Sequence, residues 1–345
     1  MKKIGKMLAL SLAAAMILSL VGCGGNTSTG STSTGQTGGE SKTMKIAHNQ
    51  AESHPVHQAL LQFKDEVESA TNGSIIVDIY PNGQLADDTT GIDQVKLGSI
   101  QASVAMASIG TFNDAGTAYG CVEELPFLFA DSEEARAAWD GALGDLMTAR
   151  AETQGLKVIN YWENGFRNMT NNIRPIVTPE DMKGIKFRVA TSEIRSKTFE
   201  ELNASAITIA FSELFTALQQ GTVDGQENPL SIIQSSQFYE VQKYLSLSHH
   251  IYNTATFIMN PAFWESLTEE EQSVITTAAE NAKETCRVKN DEFEASAIDE
   301  LKAEGMEVNE IDMEAFVEAV QPVWAYYTDT YGEEAQALID AAQNP

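Results

Sequence analysis

The chain has 345 residues, 43% of them hydrophobic and 21% charged, enough apolar material for a sizeable core and a composition that excludes a disordered chain, a collagen-like repeat or a small disulfide scaffold. Its length favours two lobes over one. With 22 Lys and Arg against 49 Asp and Glu, the net charge of −27 repels phosphate backbones and anionic headgroups, which argues against nucleic acid as a partner.

At the start, Lys2, Lys3 and Lys6 precede an apolar run from Met7 to Val21, and the run ends in Leu20-Val21-Gly22-Cys23. It is too short to span a bilayer comfortably and has the layout of a secretory signal peptide. The closing tetrapeptide reads as a lipobox, so residues 1–22 are expected to be removed and Cys23 to carry a lipid. An ordinary signal peptide with an incidental cysteine is the alternative. Residues 23–43 are mostly Gly, Ser and Thr, a composition that behaves as a flexible leash. No later stretch holds 18 consecutive apolar residues, so the folded part is expected outside the membrane on its lipid anchor, at a cell surface or in a periplasm. Cys121 and Cys286 leave one disulfide open, although isolated cysteines at apolar positions are more often buried free thiols.

From Met44 the pattern reads strand, helix, strand, helix, strand. Met44 to His48 is β-prone, and His54-Pro55 opens a helix with Val56, Leu60, Phe63 and Val67 on one face. Ile75 to Tyr80 alternates as a strand, Gly91 to Leu97 is helical until Gly98, and Ser99 to Ala105 is extended. A second copy begins at Ile185: strand to Val189, helix from Glu193 to Leu202, strand from Ala206 to Ala210, a helix capped by Ser212, and an extended segment from Thr222 to Gly225. Two βαβαβ runs predict mainly parallel sheets with ligand at the carboxyl ends of strands, near His48-Asn49, Tyr80 to Asn82, Met106 to Ser108, Arg188, Ala210-Phe211 and Glu227-Asn228. Later, Thr268-Glu269-Glu270-Glu271 is a capping box before a helical pattern that lasts to Gly305. One helix of this length would cross both lobes; two helices broken near Asn290-Asp291 are the alternative.

Motifs for phosphate loops, nucleophile elbows, zinc proteases and paired Cys-x-x-Cys are missing, so no catalysis, cofactor or metal is expected. His48, His54 and His57 lack a third soft ligand, and His48 reads better as a hydrogen-bonding pocket wall. The informative feature is a cluster of arginines: four of the seven, Arg167, Arg174, Arg188 and Arg195, fall between residues 167 and 195. On its strand Arg188 points opposite to Phe187 and Val189. A cation in an apolar β segment needs an anionic partner, and a guanidinium grips a carboxylate through two parallel hydrogen bonds. A structural ion pair is the competing role.

Phe187-Arg188-Val189-Ala190, Phe211-Ser212-Glu213-Leu214, Val223 to Pro229 and Leu125-Pro126-Phe127-Leu128-Phe129 together resemble the DctP-type receptors of tripartite ATP-independent periplasmic (TRAP) transporters, over nearly all of Met44 to Tyr327. The resemblance implies an α/β, two-lobed periplasmic-binding-protein fold with a long helix spanning both lobes, lobe I being 44–164 and 254–290, lobe II 165–253 and 291–345. It implies a small organic anion as ligand and membrane permease subunits as partners. Arg188 matches the family's carboxylate-binding arginine, Arg167 a second cleft arginine, and Asn228 the asparagine on the same ligand. Ala105-Met106-Ala107-Ser108 departs from the glutamate of sialic-acid-type members. His48-Asn49-Gln50 with His54-Pro55-Val56-His57 resembles members that take uronates or aldonates, and Phe211 and Trp162 are candidate walls for the apolar side of a sugar ring, or else core residues. A C4-dicarboxylate remains the alternative ligand, with Arg167 as the second cation. An uronate-processing enzyme and a ligand-presenting sensory protein are the other classes.

Overall fold

The computed structural model describes residues 41–106 and 114–344. Cys23, the signal segment, nearly all of the leash and Ala107-Ser108 lie outside them. The strands are β1 (Lys42–Ala47), β2 (Ile75–Tyr80), β3 (Ala102–Ala105), β4 (Lys157–Asn171), β5 (Lys186–Val189), β6 (Ser205–Thr208), β7 (Gly225–Pro229), β8 (Tyr244–Leu247), β9 (Tyr252–Met259) and β10 (Glu307–Glu310). Their order is β2-β1-β3-β9-β4-β7-β5-β6, with β8 and β10 to one side. Both βαβαβ runs form parallel ladders, β1 between β2 and β3, β5 between β6 and β7. Antiparallel β9 and β4 join them. Lys157 to Phe166 of β4 pairs with β9 and Arg167 to Asn171 with β7, so one strand runs through both lobes of this α/β fold.

Neither β4 nor β9 is legible as a strand in the sequence. Nearly all of β4 beyond Asn160 and every residue of β9 is buried, so the polar-apolar alternation that marks a half-exposed strand does not exist there. Other elements shift. The helix expected from Gly91 begins at Asp88, because Asp87 and Thr90 form a capping box. The helix expected behind a Ser212 cap begins at Phe211. The extended segment expected at Thr222 to Gly225 starts instead at Gly225 and runs to Pro229. A Cβ on Gly225 would stand 2.4 Å from the Thr170 carbonyl oxygen and 2.9 Å from the Phe187 ring, so glycine is what lets β7 enter between β4 and β5.

The capping box Thr268/Glu271 opens one helix, Glu269–Ala303, of 35 residues. At 1.5 Å per residue that is about 52 Å. It does not break at Asn290: the buried Asn290 side chain donates to the Glu163 carbonyl oxygen at 3.0 Å, and Asp291 pairs with Arg136. Thr285 reaches Gln62 on the helix Pro55–Ala70, and Glu300 accepts from Gln234 on the helix Leu230–Ser235, so the long helix touches both lobes. A second helix, Gln321–Gln343, bends at Gly332 and packs on Ala118–Cys121, Ser132–Asp140, Ala142–Thr153 and Glu193–Glu201. Cys121 and Cys286 are both buried free thiols. The edge strand β2 is protected: Glu68 accepts from Val77 N at 2.8 Å and Lys64 donates to the Val77 carbonyl, an i,i+4 pair standing in for a neighbouring strand. Among the described residues no helix is long and apolar enough to cross a membrane.

Candidate functional site

Three guanidiniums meet where the two lobes face each other. Arg167 comes from β4, Arg188 from β5, and Arg195 from the helix Glu193–Glu201, whose N-cap Ser192 accepts from the Arg195 backbone N–H. Phe187 and Val189 are fully buried in the core, which turns Arg188 to the other side of β5. Two carboxylates lie among these cations. Glu227 of β7 receives Arg167 Nε at 2.5 Å and Nη2 at 2.9 Å, and Arg195 Nη1 at 2.9 Å. Glu124 receives Arg195 Nε at 2.6 Å and Nη2 at 2.8 Å. Asn253 Oδ1 accepts from both Arg167 and Arg195, and His250 Nε2 stands 3.3 Å from Glu227. Burial alone would raise the Glu227 pKa, but Arg167 and Arg195 hold it well below the usual carboxylate range.

Arg188 is different. Only 4% exposed, it donates from Nε to the Ile209 carbonyl oxygen at 2.8 Å and packs its guanidinium 6.0 Å from the centre of the Phe211 ring. Among the described residues it makes no ion pair. Burial, with Arg167 and Arg195 adding repulsion against the attraction of Glu227 and Asp88, pulls its pKa down to about 9, so it stays charged at neutral pH. Glu124 and Glu227 thus hold Arg167 and Arg195 in direct ion pairs, while Arg188 has none among the described residues and feels Asp88, across the notch, only at longer range.

A notch of about 30 Å³ lies against these groups. Arg167, Arg188, Arg195, Phe211 and Asn228 line it from the β4–β7 side, Asn49, Gln50 and Asp88 from the β1–β3 side. Asn228 Oδ1 accepts from Arg167 and its amide donates to Gln226 at 2.5 Å, which fixes its orientation. Gln50 donates to Asn49 at 2.8 Å, Asn49 donates to Asp88 at 2.6 Å, and Met106 N–H donates to the other Asp88 oxygen at 3.0 Å. Gln50 Oε1 is buried with no hydrogen-bond partner among the described residues. Burial pushes the Asp88 carboxyl up to about 6, against those two hydrogen bonds. A second, wider chamber of about 550 Å³ shares Asn49 and Phe211 with the notch.

Of the residues picked out from the sequence, Arg188, Arg167, Asn228, Asn49 and Phe211 gather here, Arg167 with an internal partner already in place. Two do not. Trp162 is 1% exposed, donates to the Ala279 carbonyl oxygen of the long helix at 3.2 Å and meets Phe257 edge to face; it is core, because its strand is covered by that helix. His48 is not a pocket wall either: its Nε2 pairs with His57 Nδ1 at 3.0 Å and its Nδ1 accepts from Gln50 N–H, so it braces the loop behind Gln50. Missed in the sequence were Asp88, Glu124 and the pairing of Arg195, while Gln50 and Glu227, noted at strand ends, were given no role. An acidic residue inside the buried run Gly225 to Pro229 was the available signal for Glu227.

The histidines make acid stability testable. Burial, reinforced by neighbouring histidines, pulls both His48 and His54 down to about 3, so both are neutral in the fold. Above the unfolded-state value of about 6.5 their contribution is complete; as pH falls from there towards about 3 the unfolded state takes up protons that the fold refuses, and stability drops. Urea midpoints are expected to fall over that window, and His54→Asn, which keeps an N-cap acceptor for Val56 N–H, to flatten part of the slope. An unchanged slope would remove His54 from the account.

Comparison with known proteins identifies the family. The family model of bacterial extracellular solute-binding protein, family 7 (DctP), matches residues 46–330. The 2,3-diketo-L-gulonate-binding periplasmic protein YiaO of Escherichia coli K12 is 33% identical over 281 residues, 81% of this chain and 84% of that one. The C4-dicarboxylate-binding periplasmic protein DctP of Rhodobacter capsulatus is 30% identical over 303 residues, 87% of this chain and 90% of its own. A crystal structure of a TRAP periplasmic solute-binding protein from Polaromonas sp. JS666 bound to D-erythronate superposes with a TM-score of 0.83 at 34% identity, covering 88% of this chain and 98% of that one. The chain therefore belongs to the DctP family of bacterial extracellular solute-binding proteins, TRAP-type extracytoplasmic receptors that bind organic acids, work with membrane permease subunits and catalyse no reaction.

Proposed function

We propose that the ligand is a sugar acid, an aldonate or uronate, whose carboxylate is held by Arg188 with Arg167 and Asn228 beside it. The observation that carries this reading is the polarity of the facing side: Asp88 and Gln50 Oε1 offer acceptors, which hydroxyl groups satisfy and a second carboxylate does not. A dicarboxylate would need a second free cation, and Arg167 and Arg195 are already bound to Glu227 and Glu124. The diketogulonate-binding relative and the erythronate-bound neighbour support the same class; the Rhodobacter relative supports the dicarboxylate alternative. In a thermal-shift screen, gluconate, galacturonate and keto-aldonates at about 100 times Kd are expected to stabilise by about 2.7 kcal/mol. A shift with succinate or malate alone would replace this reading with the dicarboxylate one.

Capture works by hinge closure: the carboxylate binds the closed form better and shifts the population towards it. Lobe I comprises 44–164 and 254–290, lobe II 165–253 and 291–345, and the crossing of β4 between Glu163 and Gly165, where register shifts and Gly165 adopts φ 105°, is the hinge in that strand. The signal peptide and lipid attachment at Cys23 belong to the same proposal; mass spectrometry of the N-terminal peptide from membranes, showing an unmodified Cys23, would remove the anchor.

A further inference from the structure

We infer that the wider chamber is a second subsite, and that the ligand carries an uncharged sugar ring on the end away from its carboxylate, making it a disaccharide acid. The inference rests on the sugar-acid reading above. The chamber adjoins the notch, with Asn49 and Phe211 lining both, so a ligand anchored at Arg188 has the chamber beside it. Its volume of about 550 Å³ falls in the range of about 300–1,000 Å³ that encloses drug-sized ligands, and a single six-carbon acid with its carboxylate in the notch leaves much of it unfilled.

The lining states the chemistry. Phe211 and Phe215 present half-buried aromatic rings, and the core residue Phe238 backs Phe211 edge to face with centroids 6.2 Å apart. Asn82, Asp87 and the Ser235-Ser236-Gln237 turn supply hydrogen-bonding groups. An aromatic surface for C–H faces beside amides, hydroxyls and a carboxylate for hydroxyl groups is the environment a pyranose ring requires. Among the described residues no Lys, Arg or His lines the chamber and Asp87 does, so a second acid is disfavoured there and the added ring is neutral.

The test is calorimetry of the whole mature protein with matched pairs: lactobionate against gluconate, and glucuronosyl-galactose against glucuronate. The disaccharide acid of at least one pair is expected to bind about fivefold tighter or more than its single-ring partner, the scale of one ring stacked on an aromatic side chain. Phe215→Ala is expected to bring that ratio close to one, and Asn82→Gly, which keeps the backbone conformation at φ 56° available while deleting the amide, to lower it. Equal or weaker binding of both disaccharide acids, with the single-ring acids bound, would overturn the second subsite and leave the sugar-acid reading standing. No binding by any of the four would overturn both.

Discussion

Arg188→Lys is expected to weaken binding of the acid ligand by about 2 kcal/mol or more, roughly thirtyfold in Kd, in calorimetry at neutral pH. The side chain is buried and its Nε is committed to the Ile209 carbonyl, and on the sugar-acid reading its outer nitrogens are what the carboxylate meets. Lysine keeps the charge but loses the planar fork, and it also leaves the Ile209 acceptor to be satisfied by the same ammonium. Because Arg188 makes no ion pair among the described residues, the variant should fold nearly as well as the parent, which separates loss of grip from loss of structure. Unaltered affinity would mean that the anion is bound elsewhere.

Glu227→Gln should act in the opposite manner, through stability first. Its carboxylate is fully buried and serves Arg167 and Arg195 together, so removing its charge strips Arg167 of its ion-pair partner and leaves Arg195 with Glu124 alone. Breaking a buried pair from one side costs about 3–5 kcal/mol, read as a lower urea midpoint at unchanged slope. If the variant folds, Arg167 gains freedom to meet a second anionic group, and succinate, excluded in the parent on the sugar-acid reading, should gain affinity relative to gluconate. A loss below about 1 kcal/mol would show that the network is not the electrostatic frame described here.

The two predictions separate what the arginines do, and that separation was not legible in the sequence. Arg167, Arg188 and Arg195 look alike as residues near strand ends and a helix start. Which of them is spoken for depends on Glu124 and Glu227, the former 71 residues from Arg195 and the latter 60 from Arg167. His48 was misplaced, and Trp162 left open between wall and core, for the same reason: an imidazole or aromatic ring in a local stretch says nothing about whether another histidine or a distant helix covers it.

By itself the sequence determined the two βαβαβ runs, the capping box and apolar face of the long helix, the family, and the direction in which Arg188 leaves β5. All of these are set within a few residues by backbone periodicity, caps and turn chemistry. Only the tertiary structure decided that β4 and β9 exist and join the halves, that Asn290 continues a helix by reaching the Glu163 carbonyl, and that Asp88 and Gln50 face the arginines. Strands buried on both faces carry no alternation, and charge compensation is a sum over neighbours brought together by the chain's long-range pairing, so neither is written in any local stretch.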